Sequence, residues 1–439
     1  MLKRNFILIA LPFVINLYAD SLSQLIVASE NNPSLNAVKK EAKASKEVAK
    51  AVKSALYPHL DFSYNATYLQ EKPVVYLNSS FALLPPNSPP MQIEAQNSYK
   101  GALTLSYPLF SGFAISKSID KAMLEKERAL LKVKDTKRNL YLHIVSLYTT
   151  AYALKEMHNS LEVSLRAMQQ SYEKVKAFYT LGMSSSSELY RIQAALHDVE
   201  AKVTQTDNQY KIVLNQLSVL CKTEVHNVAE LPEIGQFSYE ELVKSALINR
   251  PDLKAIELLV KKEQKSIEIA KSKYYPTVGL YAQAAYSGDT PSLDGDGYTN
   301  KNKSSAGFVV KYNLFSGFKD DAQIEAAKDA KLSLEFMLAS YKDRVKSELY
   351  SSYLEYKSLQ KETKSIQLEQ KAQKTYTQLI KEKFENQLAD ADTLSRAIAQ
   401  EARVESKLSA THARLYNVYA RLLLEVNSET FLEKLQKDR

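Results

Sequence analysis

The chain has 439 residues with 45% apolar and 25% charged content, a globular balance, but only one Cys, six His, 10 Gly and no Trp beside 28 Tyr. One cysteine excludes an internal disulfide framework and a four-cysteine zinc site, and no H-x-x-x-H pair suggests a zinc hydrolase. The net charge of +8 is spread along the chain instead of gathered in a patch, so nucleic acid is not the implied partner.

Residues 1–19 combine Lys3 and Arg4, an apolar run from Phe6 to Tyr18, and the small Ala19. An apolar run of about 13 residues falls short of the roughly 20 that span a bilayer, so the segment reads as a secretory leader, with the mature chain beginning near Asp20. The only cysteine, Cys221, is far from that junction, which argues against an N-terminal lipid anchor. No later window of 18 apolar residues occurs, so contact with a membrane would require a closed barrel.

The rest of the chain is an internal repeat. Asn32-Pro33-Ser34-Leu35 and Tyr57-Pro58 return 218 positions later as Arg250-Pro251-Asp252-Leu253 and Tyr275-Pro276. YPLFSGF at 107–113 returns 205 positions later as YNLFSGF at 312–318. This gives a first repeat over 20–221 with a β-hairpin at 60–110, a linker over 222–239 containing Pro232 and Gly235, and a second repeat over 240–439 with a hairpin at 277–315. The Pro-, Gly-, Asn- and Ser-rich stretches 71–98 and 289–304 read as loops.

Within each repeat, long proline-free stretches predict helices. From Phe113 to Tyr179 the residues Leu140, Ile144, Leu147, Ala151, Leu154, His158, Leu161, Leu165, Met168, Tyr172, Val175 and Tyr179 step by four and three. Leu189, Ile192, Leu196, Val199, Val203, Thr206, Tyr210, Val213, Leu217 and Leu220 do the same, and both are coiled-coil seams. Phe318 to Phe384 matches the first rod in length, and each rod would run roughly 100 Å at 1.5 Å per residue. Shorter helices over 34–57 and 188–220, laid end to end and antiparallel, would cover one rod's seam.

Between helices the period falls to two. Leu60, Phe62, Tyr64, Ala66 and Tyr68; Leu103, Leu105, Tyr107 and Leu109; Val278, Leu280, Ala282, Ala284 and Tyr286; and Phe308, Val310, Tyr312 and Leu314 alternate with mostly polar neighbours. These are four strands of about the 9–11 residues that cross an outer membrane at a tilt, with Phe62, Tyr64, Leu103, Leu105, Leu280, Phe308 and Val310 facing lipid. A soluble sandwich with that face inside is the alternative. Four strands are too few to enclose a lumen, so the membrane reading requires several chains to share one barrel.

Together these segments resemble the TolC family of outer-membrane efflux and secretion channels across nearly the whole mature chain. The residues that carry the resemblance are EELVKSALINRPDL at 240–253, its earlier counterpart QLIVASENNPSL, the LYPHLDFSYNATY and YYPTVGLYAQAAY pair, and the two LFSGF segments, in duplicated order. The resemblance implies a mainly α fold, an α-helical barrel of long antiparallel coiled-coil helices with four strands per chain in a shared trimeric transmembrane β-barrel. It also implies a homotrimer in the cell outer membrane with its helical tunnel in the periplasm, a periplasmic adaptor (membrane fusion) protein, and an inner-membrane pump or ABC transporter as the energy source. No catalytic residue, cofactor or metal is implied. A periplasmic coiled-coil scaffold or adaptor without a pore is the competing reading, and a hydrolase hidden in the loops is disfavoured because no G-x-S-x-G elbow accompanies Ser184 to Ser187.

The family's hairpin-tip pattern is matched by Tyr179, Gly182, Ser185, Glu188 and Leu189, where Gly182 permits positive φ and Ser185 with Glu188 resembles a capping box. Adaptor docking is what the resemblance assigns to this tip. The second tip keeps Phe384 and Leu394 but has Gln387 for Gly and Asp390 for Ser. Asp390 and Asp392 lie just past it, and threefold symmetry would make them carboxylate rings at a periplasmic gate, against the plainer reading of acids at a helix start. Asp294-Gly295-Asp296-Gly297 reads as a polar outer loop and not a calcium site, since the closing Glu is missing, and His158 as a tolerated polar residue in a seam.

Overall fold

A computed structural model describes residues 20–75, 90–298, 301–426, 431–433 and 435; the leader assigned to 1–19 lies outside the described residues. The chain forms two compact units to which each repeat contributes. The first holds the residues up to Lys40, Leu131–Lys254 and those from Ser340 on; the second holds Glu41–Leu130 and Ala255–Ala339.

The first unit is helical. Ser21 starts α1 (Leu22–Ala28) with a complete capping box to Gln24. Asn32 starts α2 (Pro33–Lys53): its Oδ1 accepts from the N–H groups of Ser34 and Leu35, and Pro33 occupies the first-turn position where a missing N–H costs nothing. The long helices are α3 (Ala114–Thr180) and α7 (Lys319–Glu385), 67 residues each, followed by α4 (Ser186–Cys221) and α8 (Ala391–Val426), 36 each, while α5 (Tyr239–Asn249) and α6 (Pro251–Lys271) mirror α1 and α2. One cluster draws Met168 and Val175 from α3, Ile192, Leu196 and Val199 from α4, Ile380 and Phe384 from α7, and Leu394, Ala397 and Ile398 from α8.

The expected seam on α4 is buried at Ile192, Leu196, Val199, Thr206, Val213 and Leu217. On α3 the outcome differs in detail. Leu161, Ser164, Met168, Ser171 and Val175 are buried, Leu165 and Tyr172 only half so, and Tyr179 is exposed. Small serines sit where leucine and tyrosine were expected because α3 shares this core with three other helices, and a short side chain lets backbones approach. The linker is strapped down. Tyr148 Oη reaches the carbonyl oxygens of Asp20 and Ala229 at 3.2 and 3.0 Å, Lys155 Nζ reaches that of Val228 at 2.8 Å, and the Phe237 ring stacks 5.1 Å from Tyr419.

The second unit is organised by an antiparallel sheet of β1 (His59–Tyr68), β4 (Asn97–Phe110), β5 (Thr277–Gly288) and β6 (Ser305–Lys311), in the order β1-β4-β5-β6. A two-residue hairpin, β2 (Val74–Val75) with β3 (Met91–Gln92), lies in the first loop. Each repeat supplies one pair, and β4 with β5 joins them, a pairing that hydrophobic periodicity does not specify. Pro108, which donates no hydrogen bond, sits where the β4–β5 register shifts. Strand β6 ends at Lys311, so Tyr312 and Leu314 lie beyond it, contrary to the hairpin expected through 315. The reason lies in the first repeat: β1 pairs with β4 only as far as His59↔Ser106, and Tyr107 to Phe110 remain extended because β5 holds them. Among the described residues, strand β6 has no such second neighbour.

Candidate functional site

Two features qualify as functional surfaces: the sheet in the second unit and the hairpin tips in the first. Cross-strand register sets the sheet's faces. Leu60 is opposite Leu105, Phe62 opposite Leu103, Leu103 opposite Ala284, Leu105 opposite Ala282, Tyr107 opposite Leu280, and Leu280 opposite Phe308, with Val278 opposite Val310. Partners across a ladder share a face, so Phe62, Tyr64, Leu103, Leu105, Leu280, Phe308 and Val310 form one continuous apolar surface. Asp61, Ser63, Asn65, Thr104, Ser106 and Gln283 occupy the other, where Gln283 donates to Thr104 Oγ1 at 3.0 Å. The apolar face is bare: Phe62 is 73% and Phe308 69% exposed. A soluble sandwich would need a second sheet over it, and among the described residues the other strands are the two-residue pair β2 and β3. No helix among the described residues is long and apolar enough to cross a membrane, and no cluster of His, Cys, Asp and Glu there could hold a metal ion.

Both tips close by the same hydrogen-bond pattern. At the first, Met183 N–H donates to Phe178 O (2.8 Å) and Gly182 N–H to Tyr179 O (3.0 Å), with Gly182 at φ +73°. At the second, Leu388 N–H donates to Lys383 O (2.8 Å) and Gln387 N–H to Phe384 O (3.1 Å), with Gln387 at φ +59°. These are Schellman closures, and Gln387 adopts the left-handed conformation that glycine takes in the first repeat. Ser185 accepts from Glu188 N–H at 3.2 Å, as expected of a cap, but the box is half formed: the Glu188 carboxylate accepts from Ser184 Oγ at 2.6 Å instead of turning back to the cap. Asp390 occupies the matching position, accepting from Thr393 N–H at 2.8 Å. Hydrogen bonds from Thr393 hold its carboxyl below the usual carboxylate range.

Around these turns the predicted residues divide. Tyr179, Gly182, Ser185 and Gln387 are exposed, alongside Leu181, Met183, Tyr190 and Leu388. Glu188 and Leu189 are half-buried, while Phe384 (5%) and Leu394 (2%) lie inside the four-helix cluster, so they brace the tips and present nothing to a partner. A cavity of about 430 Å³ separates the tips, lined by residues including Val175, Phe178, Phe384 and Asp390. Across the hairpins, Lys174 pairs with Glu385 at 3.0 Å, and Asp392 lies 3.7 Å from Arg191 of α4 and 2.9 Å from Arg396 of α8.

Sequence reasoning missed a buried charge network. Arg138 of α3 pairs with Asp135, Asp252 and Glu425 at 2.8, 3.3 and 2.6 Å; Arg250 pairs with Asp252 at 2.6 Å and Glu425 at 2.7 Å; and Tyr341 Oη donates to Asp252 at 2.7 Å. Burial alone would raise the Asp252 pKa, but hydrogen bonds from Arg250 and Tyr341 and both guanidinium charges hold it well below the carboxylate range. A signal was available: the second repeat puts Arg250 and Asp252 where the first has Asn32 and Ser34. His158 lies 3.4 Å from Glu162 through Nε2, while its Nδ1 is buried without a partner.

Comparison with known proteins decides the family. The profile of the outer membrane efflux protein family matches residues 25–221 and 242–424. This chain belongs to that family. Its members are outer-membrane channel proteins and not enzymes. Among curated relatives, the alkaline protease secretion protein AprF of Pseudomonas aeruginosa is 22% identical over 304 residues, 66% of this chain and 60% of that protein. The solvent efflux pump outer membrane protein SrpC of Pseudomonas putida is 22% identical over 77% of this chain and 70% of its own length. The outer membrane protein VceC of Vibrio cholerae has the same fold, with a TM-score of 0.75 at 16% identity over 92% of this chain and 95% of VceC. For this outer membrane efflux protein, the bare sheet face and the exposed residues of the two tips are the candidate functional surfaces.

Proposed function

We propose that three copies of this chain form the exit duct of a tripartite efflux pump or a type I secretion system. The four strands of each copy would join one barrel in the outer membrane, with the face of Phe62, Leu103, Leu280 and Phe308 toward lipid. The helical unit would line a periplasmic tunnel that substrates traverse passively. The observation that carries this reading is the exposed apolar sheet whose outer strands β1 and β6 have no further neighbour among the described residues: barrel closure in lipid covers both the face and the edge N–H and C=O groups. Relatives named for protease secretion and for solvent efflux support the duct while leaving the cargo open.

In this reading the exposed tip residues Tyr179, Gly182, Ser185 and Gln387 meet a periplasmic adaptor that couples the duct to an inner-membrane pump or ABC transporter. Asp390 and Asp392 would stand at the periplasmic entrance as rings of carboxylates. Planar-bilayer recording on the purified oligomer tests the proposal. Discrete conductance steps are expected, whereas a detergent-free soluble monomer that inserts nothing would favour the scaffold reading.

A further inference from the structure

Register also sorts the polar face of the sheet into rungs. His59 lies opposite Ser106, Ser106 opposite Tyr281 and Tyr281 opposite Gly307, so these four share one rung, and Asp61, Thr104, Gln283 and Ser305 share the next. The side chain of a strand residue ordinarily stands up from its sheet. Tyr281 does not: a Cβ built on Gly307 would fall 3.1 Å from Tyr281 Cε1, 3.1 Å from its Oη and 3.3 Å from its Cζ. The outer edge of the ring therefore lies across the bare backbone of β6. Gly307 is not among the glycines with positive φ, so what glycine supplies there is room and not a special backbone conformation. Displacements of 218 and 205 residues carry Tyr281 and Gly307 back to Ser63 and Ala102, which are themselves paired in the first hairpin. One repeat places two small side chains on this rung and the other a large one with none beside it, and both leave the wall low.

We propose that Gly307 is a positioning residue that keeps Tyr281 folded against the wall, and that the pair sets the bore of the shared barrel and so the size of cargo that leaves through it. The inference rests on the shared-barrel reading. With Phe62, Leu280 and Phe308 toward lipid, Tyr281 and Gly307 face the aqueous interior, and threefold symmetry brings three copies of the pair to one level. Three tyrosines standing upright there would narrow the bore from three sides, whereas rings laid along the wall leave it open. The seat is specific to glycine in a graded way. Alanine at 307 asks the ring edge to give by a few tenths of an ångström, but valine puts two further methyl groups where the ring lies. Ser106, on the other flank of Tyr281, already carries a Cβ, so a ring driven off β6 finds no equal seat on β4 and rises from the wall.

Size-graded cysteine labelling from outside the cell tests it. Cys221 is buried and its thiol is pushed up to about 11 by burial and by the charge of Asp20, so it stays outside the chemistry. Thr277→Cys reports from the α6 side of the Tyr281 rung and Ser63→Cys from the far side; both positions are exposed and lie on the polar face. Water-soluble maleimides carrying polyethylene glycol chains of increasing length are applied, and the longest that shifts the chain on a gel is recorded. Gly307→Val should lower that limit at Thr277→Cys and leave it unchanged at Ser63→Cys, and adding Tyr281→Ala should restore it. Tyr281→Ala alone should keep the parent's limit, because the ring already lies along the wall. If Gly307→Val does not assemble, this single variant still decides: a limit above the parent's would show the ring standing in the bore and overturn the proposal. In an assembled oligomer, a limit that Gly307→Val leaves unchanged, or lowers without rescue by Tyr281→Ala, would reduce the pair to an aromatic cover over a bare edge strand, read as a shift in thermal midpoint alone. Labelling of both cysteines only by a membrane-permeant maleimide would turn this face toward lipid and sink the shared-barrel reading together with the inference.

Discussion

Asp252 shows how one residue can serve as a four-helix clasp. Its carboxylate receives Arg138 from α3, Arg250 from the α5–α6 break and Tyr341 from α7, and Glu425 of α8 accepts from Arg138 and forms an ion pair with Arg250. Removing the charge leaves the buried Arg250 with Glu425 as its one carboxylate partner, while Arg138 keeps Asp135 and Glu425, and breaking a buried pair in this way costs roughly 3–5 kcal/mol. Asp252→Asn should therefore lower the thermal midpoint of the purified protein at neutral pH. The sign of the pH dependence follows from the lowered pKa: the stabilisation is fully present above the unfolded value of about 3.9 and is lost as pH falls through the folded value. The gap between unmodified protein and variant should thus be constant from pH 5 to 8 and shrink below about pH 4. A gap that persists undiminished into acid would show that Asp252 acts through packing and not through charge.

The hairpin tips belong to the scale of elements, and they also measure what the sequence made legible. Long helices, their ends and the faces of the strands could be read because they depend on local period: α3 and α7 begin and end within a residue of the expected bounds. What could not be read depended on residues far apart. The β4–β5 pairing joins segments about 180 positions distant, Arg138 meets Glu425 across 287, and the early end of β6 reflects a neighbour outside the repeat. Gln387 and Asp390 looked like departures from the tip pattern, yet they preserve the same closure and cap with different side chains. The substitution has a cost, since a non-glycine residue in the left-handed region gives up about 1 kcal/mol. Gln387→Gly should stabilise the second hairpin by up to that amount, and Gly182→Ala should destabilise the first by a similar amount. Hydrogen exchange at Leu388 and Met183, whose N–H groups close the two turns, reads each tip separately; equal protection in variant and parent would mean that neither turn is strained.

For the whole molecule, the proposed trimeric duct raises the question of what would hold it shut. The carboxylate of Asp392 is shared between Arg191 on one hairpin and Arg396 on its own helix, so it links the two helix pairs of a chain at their tips. Such a solvent-accessible pair is worth at most about 1 kcal/mol, too little to matter alone. Three copies opening together would multiply it to about 3 kcal/mol, which is on the order of a hundredfold in the closed-to-open ratio. Asp392→Asn should therefore raise the open fraction in single-channel records, and Arg191→Ala should do the same if the link to α4 is what matters. Asp390→Asn separates charge from structure, because Asn caps a helix as well as Asp does and leaves the start of α8 intact. If both acids face the entrance, the double Asn variant conducts with lower cation selectivity as well as more often. Raised opening with unchanged selectivity would keep Asp392 as a latch while removing both carboxylates from the pore wall, and unchanged opening and selectivity would remove them from gating altogether.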